Sequence, residues 1–178
     1  MSETVRPAES GKKTGETNVE RTQPAPERRP GKERRLVLRL LDYWRGITGD
    51  RSYPSLSDIR SDDIADMWPY CFVLDVSEDE QNPILRYVGK ELIACYGAPC
   101  ENLHVSELRK SSLLERASCY VKEVLRKGVP ISYGDSFKSV EGESVLCRSI
   151  LLPLSDDGEA ISLVLGGTNY MKNPKHGE

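Results

Sequence analysis

A chain of 178 residues with 25 basic and 28 acidic side chains carries a formal charge of -3, too small a field to recruit nucleic acid or an anionic membrane. The length holds one ordinary domain. No run approaches the roughly 20 apolar residues that span a bilayer, the N-terminus lacks an apolar h-region, and five cysteines, an odd number set mostly in apolar segments, suit a reducing cytoplasm.

Residues 1–33 hold five apolar side chains against thirteen charges, so they cannot offset the entropy of ordering and are expected to form a disordered tail. Its basic end, Arg28, Arg29, Lys32, Arg34 and Arg35, reads as a solvated approach to a helix. From residue 34, Leu36, Val37, Leu40, Leu41 and Trp44 recur at helical spacing before Gly46 and Gly49, which predicts an amphipathic helix over 34–46. Its stripe either caps the domain's own sheet or forms a dimer seam, for which Leu36, Leu40 and Trp44 are the candidates.

Serine and aspartate in 53–69 cap short turns, and Pro69 closes them. Residues 70–76, aromatic and β-branched, predict a strand, and 84–88 a second that pairs with it as a hairpin. One or two helical turns over 91–96 end at Gly97. Ser112 and Glu115 make a capping box, and Leu114, Ala117, Val121, Val124 and Leu125 continue it into one long helix ending near Lys127 and Gly128. Strands over 131–138, 145–154 and 161–170, joined at 140–143 and 155–158, complete an antiparallel meander.

This order has no βαβ rhythm. It predicts an α+β domain over 34–172: a five-stranded antiparallel sheet with helices on one face and an N-terminal amphipathic helix, followed by a disordered C-terminus at 173–178. A sheet covered on one face can leave a small interior cavity beneath its helices.

Several segments narrow the fold further. Leu41-Asp42-Tyr43-Trp44-Arg45-Gly46, Tyr53-Pro54-Ser55-Leu56-Ser57-Asp58-Ile59, Arg86-Tyr87-Val88-Gly89-Lys90-Glu91-Leu92 with Tyr96-Gly97, and Leu152-Pro153-Leu154-Ser155-Asp156-Asp157-Gly158 with Leu165-Gly166-Gly167 occur in one order. Together they resemble a family of short stand-alone PAS-domain proteins of proteobacteria, over about residues 34–172. The resemblance implies a regulatory module that either holds a small ligand between sheet and helices or dimerises and docks signalling partners. It carries no catalytic residues, and fold alone does not fix function.

Haem needs an axial ligand, and His104 is the only histidine inside the predicted domain. It precedes the long helix, which counts against that role, and a surface or capping histidine is the simpler reading. Cys95 and Cys100 lack the asparagine and arginine neighbours of a photoreactive flavin cysteine, and with His104 they still want a fourth ligand for zinc. No nucleophile elbow, phosphate loop or carboxylate pair appears, and Gly166-Gly167 lacks dinucleotide spacing.

Two-residue alternation places Arg148 with Leu146 and Ile150 on one strand face. If that face lines the cavity, its guanidinium would pair with an anionic ligand, the alternative being an arginine snorkelling at a sheet edge. The pocket candidates are Phe72, Leu74, Tyr87, Tyr133, Leu146, Arg148, Ile150 and Leu163. The leading expectation is a cytoplasmic, non-enzymatic regulatory domain without cofactor or metal, acting in bacterial signalling through protein interaction and homodimerising through the helix over 34–46 and the sheet. A sensor of an anionic or apolar metabolite stands second, and a haem sensor a distant third.

Overall fold

The helical stripe is real, and its helix, α1 (Gly31–Thr48), is longer at both ends than expected. The computed structural model of the chain describes residues 31–173, with side chains from Arg35 onward. Residues 1–30 and 174–178, where the two tails were expected, therefore lie outside the described residues. Gly46 has open space around it and α1 runs straight through, stopping at Gly49, whose φ of +58° is left-handed. Three single 3-10 turns follow, at Leu56–Asp58, Ser61–Ile64 and Trp68–Tyr70. The first is pinned by Ser55, whose backbone N–H donates to Asp58 Oδ2 at 2.7 Å.

The expected strands form as β1 (Cys71–Asp75), β2 (Ile84–Val88), β3 (Ile131–Lys138), β4 (Ser144–Leu154) and β5 (Leu163–Asn173). They build one antiparallel sheet in the order β2-β1-β5-β4-β3, with a register shift in the β1–β2 hairpin between Val73 and Leu74. The helical turns after β2 are α2 (Lys90–Tyr96).

The single long helix expected after Ser112 is instead two, α3 (Leu113–Ser118) and α4 (Val121–Lys127). The capping serine is as expected: Ser112 Oγ accepts from the Glu115 N–H at 3.3 Å. The break has a cause outside the helix. The Tyr133 hydroxyl on β3 reaches the carbonyls of Arg116, at 3.1 Å, and Ala117. In a continuous helix those carbonyls would accept from Tyr120 and Val121; here the Arg116 carbonyl accepts from the Cys119 N–H and the Tyr133 hydroxyl, and the Ala117 carbonyl from the Tyr133 hydroxyl.

Both faces of the sheet are covered, one by α2–α4 and the other by the N-terminal helix α1. Phe72, Leu74, Leu151 and Val164 point toward α2, α3 and α4 and pack with Leu92, Leu114, Ala117 and Val124. Cys71, Val73, Ile150, Leu152, Leu154 and Leu165 point the other way, into a second core closed by Leu36, Val37, Leu40 and Trp44 of α1. Gly166 and Gly167 mark the two layers. A Cβ on Gly166 would fall inside the Phe72 ring, and one on Gly167 would meet Leu40 Cδ2, so each glycine admits a side chain pressed onto the sheet from opposite faces.

Candidate functional site

The space between sheet and helices, where a ligand cavity was expected, is filled by side chains. A residue lining a water-sized void keeps accessible surface, yet Phe72, Leu74, Leu85, Ala117, Val124, Leu151 and Val164 keep none. The Phe72 ring lies across its cross-strand partner Gly166, in the volume a glycine leaves free. Within this layer Ser149 Oγ donates to Thr168 Oγ1 at 2.8 Å, both fully buried.

The eight pocket candidates are divided by the sheet. Phe72, Leu74 and Tyr133 lie on the face toward α2–α4. Ile150, Leu163 and Tyr87 belong to the α1 side, and alternation from Ile150 puts Leu146 and Arg148 there too. The helix-facing residues of β4 are instead Val145, Cys147 and Leu151. Arg148 is exposed, its guanidinium laid against Gly134 of β3, so it does not line the interior. Tyr87 stacks on Trp68 with ring centroids 4.5 Å apart, and the Tyr133 hydroxyl is committed to the α3 carbonyls; burial pushes its ionisation well up. Among the dimer-helix candidates, Leu40 is fully buried, Leu36 and Trp44 nearly so, and the Trp44 indole donates to the Pro153 carbonyl at 2.9 Å. The stripe is spent on the chain's own sheet.

A solvent-facing concavity adjoins the helix-side core. It lies between the end of α2, residues 109–113, the β3–β4 hairpin and the end of β5, with a volume of about 50 Å³. Its floor is Tyr96, Leu113, Phe137 and Val145; Arg109 and Lys172 stand at its rim. The Arg109 guanidinium sits 4.2 Å from the Tyr96 ring centroid, and the Tyr96 hydroxyl accepts from the Arg109 backbone N–H. Lys172 Nζ pairs with Glu143 at 2.9 Å. Glu141, at the hairpin tip, has its carboxyl held below the usual range by its own backbone N–H and the Ser139 hydroxyl, with smaller contributions from Lys172 and Arg109. No local sequence pattern marks Arg109 or Lys172, because the cleft joins four segments distant along the chain.

A family profile described as "PAS domain" matches residues 33–168. The chain belongs to the PAS domain family. Solved structures similar to this PAS domain include a LOV domain from a blue-light activated histidine kinase of Erythrobacter litoralis, 17% identical over 58% of this chain and 95% of that one, with a TM-score of 0.43. A PAS domain of a Colwellia psychrerythraea protein is 14% identical over 62% of this chain and 95% of that one, TM-score 0.44. A LOV protein of Rhodobacter sphaeroides is 12% identical over 67% and 71%, TM-score 0.43. No curated protein matches the chain.

In this PAS domain His104 caps the turn at Val105–Glu107: its backbone N–H donates to Glu107 Oε2 at 2.7 Å and its Nδ1 to the Asn82 carbonyl at 2.9 Å. Burial pushes the Cys71 thiol up to about 12 and the Cys147 thiol up to about 11, and raises Cys100 and Cys119 as well, the reverse of what a nucleophilic thiolate requires. Among the described residues no three His, Cys, Asp or Glu side chains converge as a metal site, and no helix is long and apolar enough to cross a membrane.

Proposed function

We propose that this PAS domain is a non-enzymatic regulatory module that works by docking proteins on its surface, in the cytoplasm, rather than by holding a cofactor or metabolite inside. The observation that carries this reading is the filled interior, with Phe72 seated over Gly166 where a ligand would lie. Free, unactivated thiols and a capping histidine offer no catalytic pair. On the α1 face, the part of β3 and β4 around Gly134, Leu146 and Arg148 keeps accessible surface, and a second copy of the chain docking there accounts best for how the domain would assemble.

The test is a visible absorption spectrum and native mass spectrometry of the purified full chain. The reading expects a colourless protein at the mass of the polypeptide; a flavin or haem band, or a retained small molecule, rejects it. Light scattering tests the assembly: the parent should give twice the 20.0 kDa chain mass, and a Leu146→Asp, Arg148→Glu double variant should give the chain mass alone. A monomeric parent at every concentration sinks the dimer.

A further inference from the structure

The cleft at the rim of the helix-side core has the composition of a binding site: an apolar floor and a guanidinium with donors to spare. Tyr96, Leu113, Phe137 and Val145 each retain 3–8% of their surface there, unlike the sealed residues deeper in the core. The Arg109 guanidinium lies over the Tyr96 ring, a cation–π contact that uses none of its N–H groups as donors to a hydrogen-bond acceptor. No ion pair within 4.0 Å joins Arg109 to a carboxylate among the described residues, whereas Lys172 across the cleft is held by Glu143. The Ser112 hydroxyl accepts from the Glu115 N–H, so its hydrogen remains for an acceptor in the cleft, whereas the Ser139 hydroxyl is engaged by Glu141.

We propose that this cleft binds a short-chain monocarboxylate, its carboxylate on the Arg109 edge and its alkyl body against Leu113, Phe137 and Val145. The planar two-point fork matches a carboxylate, and the apolar floor gives no partner to the other oxygens of an inorganic anion. The size follows from the volume: about 50 Å³ is room for a few water-sized groups at about 10–15 Å³ each, so a chain of a few carbons fills it. Glu141 already lies in the field of Arg109 and Lys172 and competes with the incoming carboxylate. Val140 beside it, 72% exposed, puts this competitor on a hairpin tip with little packing to hold it. Binding would thus be reported at the β3–β4 hairpin, outside the filled interior, so this proposal stands whether or not the domain dimerises.

The experiment is a butyrate titration of the full chain followed by amide chemical shifts, with butan-1-ol and phosphate as controls. Butyrate should move the amides of residues 109–113 and 139–145, and neither control should. Arg109→Gln should weaken butyrate by about tenfold or more, the size of a lost charge-assisted hydrogen bond. Arg109→Lys, which keeps the charge and loses the fork, should fall between. Glu141→Gln should bind more tightly than the parent. Thermal melts of each variant check the fold. A parent that ignores butyrate, a butanol response equal to that of butyrate, or Arg109→Gln binding as well as the parent overturns the proposal.

Discussion

Gly166 and Gly167 are adjacent and chemically identical, yet substitution should separate them. An alanine at 166 must displace the Phe72 ring, which is fully buried and has no free direction; an alanine at 167 meets only the end of the Leu40 side chain. Gly166→Ala should therefore cost about 2–3 kcal/mol, the range of core overpacking, and Gly167→Ala clearly less. Urea unfolding midpoints of the two variants check the order, and equal losses would mean that Phe72 does not lie where the interior is filled. Asp157 carries a different consequence. The backbone N–H groups of Glu159 and Ala160, then the Ser155 hydroxyl, hold its carboxyl down to about 2. Its folded value lies below its unfolded one, near 4, so its contribution is present above about pH 4 and is lost as pH falls toward 2. Asp157→Asn should flatten the stability profile in that window and leave the neutral-to-alkaline limb unchanged, which acid titration of the unfolding midpoint measures.

At the scale of elements, the strands were legible in the sequence because turn residues bracket each one, and β2 and β3 fall at the expected bounds. Facing was less legible, for a physical reason visible in β4. From Ser149 to Leu154 every residue is buried, since α1 covers one face and α3 with α4 the other. A strand buried on both sides has no polar-apolar alternation to give its parity. Leu146, Ile150 and Leu152 then looked like one inward row, when Val145, Cys147 and Leu151 are the row that meets the helices. The α3–α4 break was hidden for a similar reason: Leu113 to Lys127 keeps helical periodicity throughout, and the interruption comes from a hydroxyl on β3. Tyr133→Phe removes that hydroxyl without changing volume and leaves the Ala117 carbonyl short of a donor, while the Arg116 carbonyl keeps the Cys119 N–H. A loss of about 1–2 kcal/mol is expected by equilibrium unfolding. An unchanged midpoint would show that the helix break does not depend on Tyr133.

For the whole molecule, the decisive element is α1, because it turns a sheet with one solvated face into the middle layer of three. Its stripe admitted two partners in the sequence, the chain's own sheet or a second copy, and only the three-dimensional arrangement separates them. Arg39 pairs with Asp66 at the edge of this layer, an exposed contact expected to add little. The stability lies in the apolar seam and in the Trp44 hydrogen bond to Pro153. Leu40 and Leu38 are two residues apart on α1, the first fully buried and the second 52% exposed. Leu40→Asp places an unpaired carboxylate in the seam and should cost several kcal/mol, enough to shift or abolish cooperative unfolding. Leu38→Asp should stay within about 0.5 kcal/mol of the parent, as surface changes do. If α1 instead served as a seam between copies and lay free of its own sheet, Leu40→Asp would leave the unfolding of the dilute monomer untouched. Unfolding at low protein concentration, read beside light scattering, therefore distinguishes a helix that completes the domain from one that joins two.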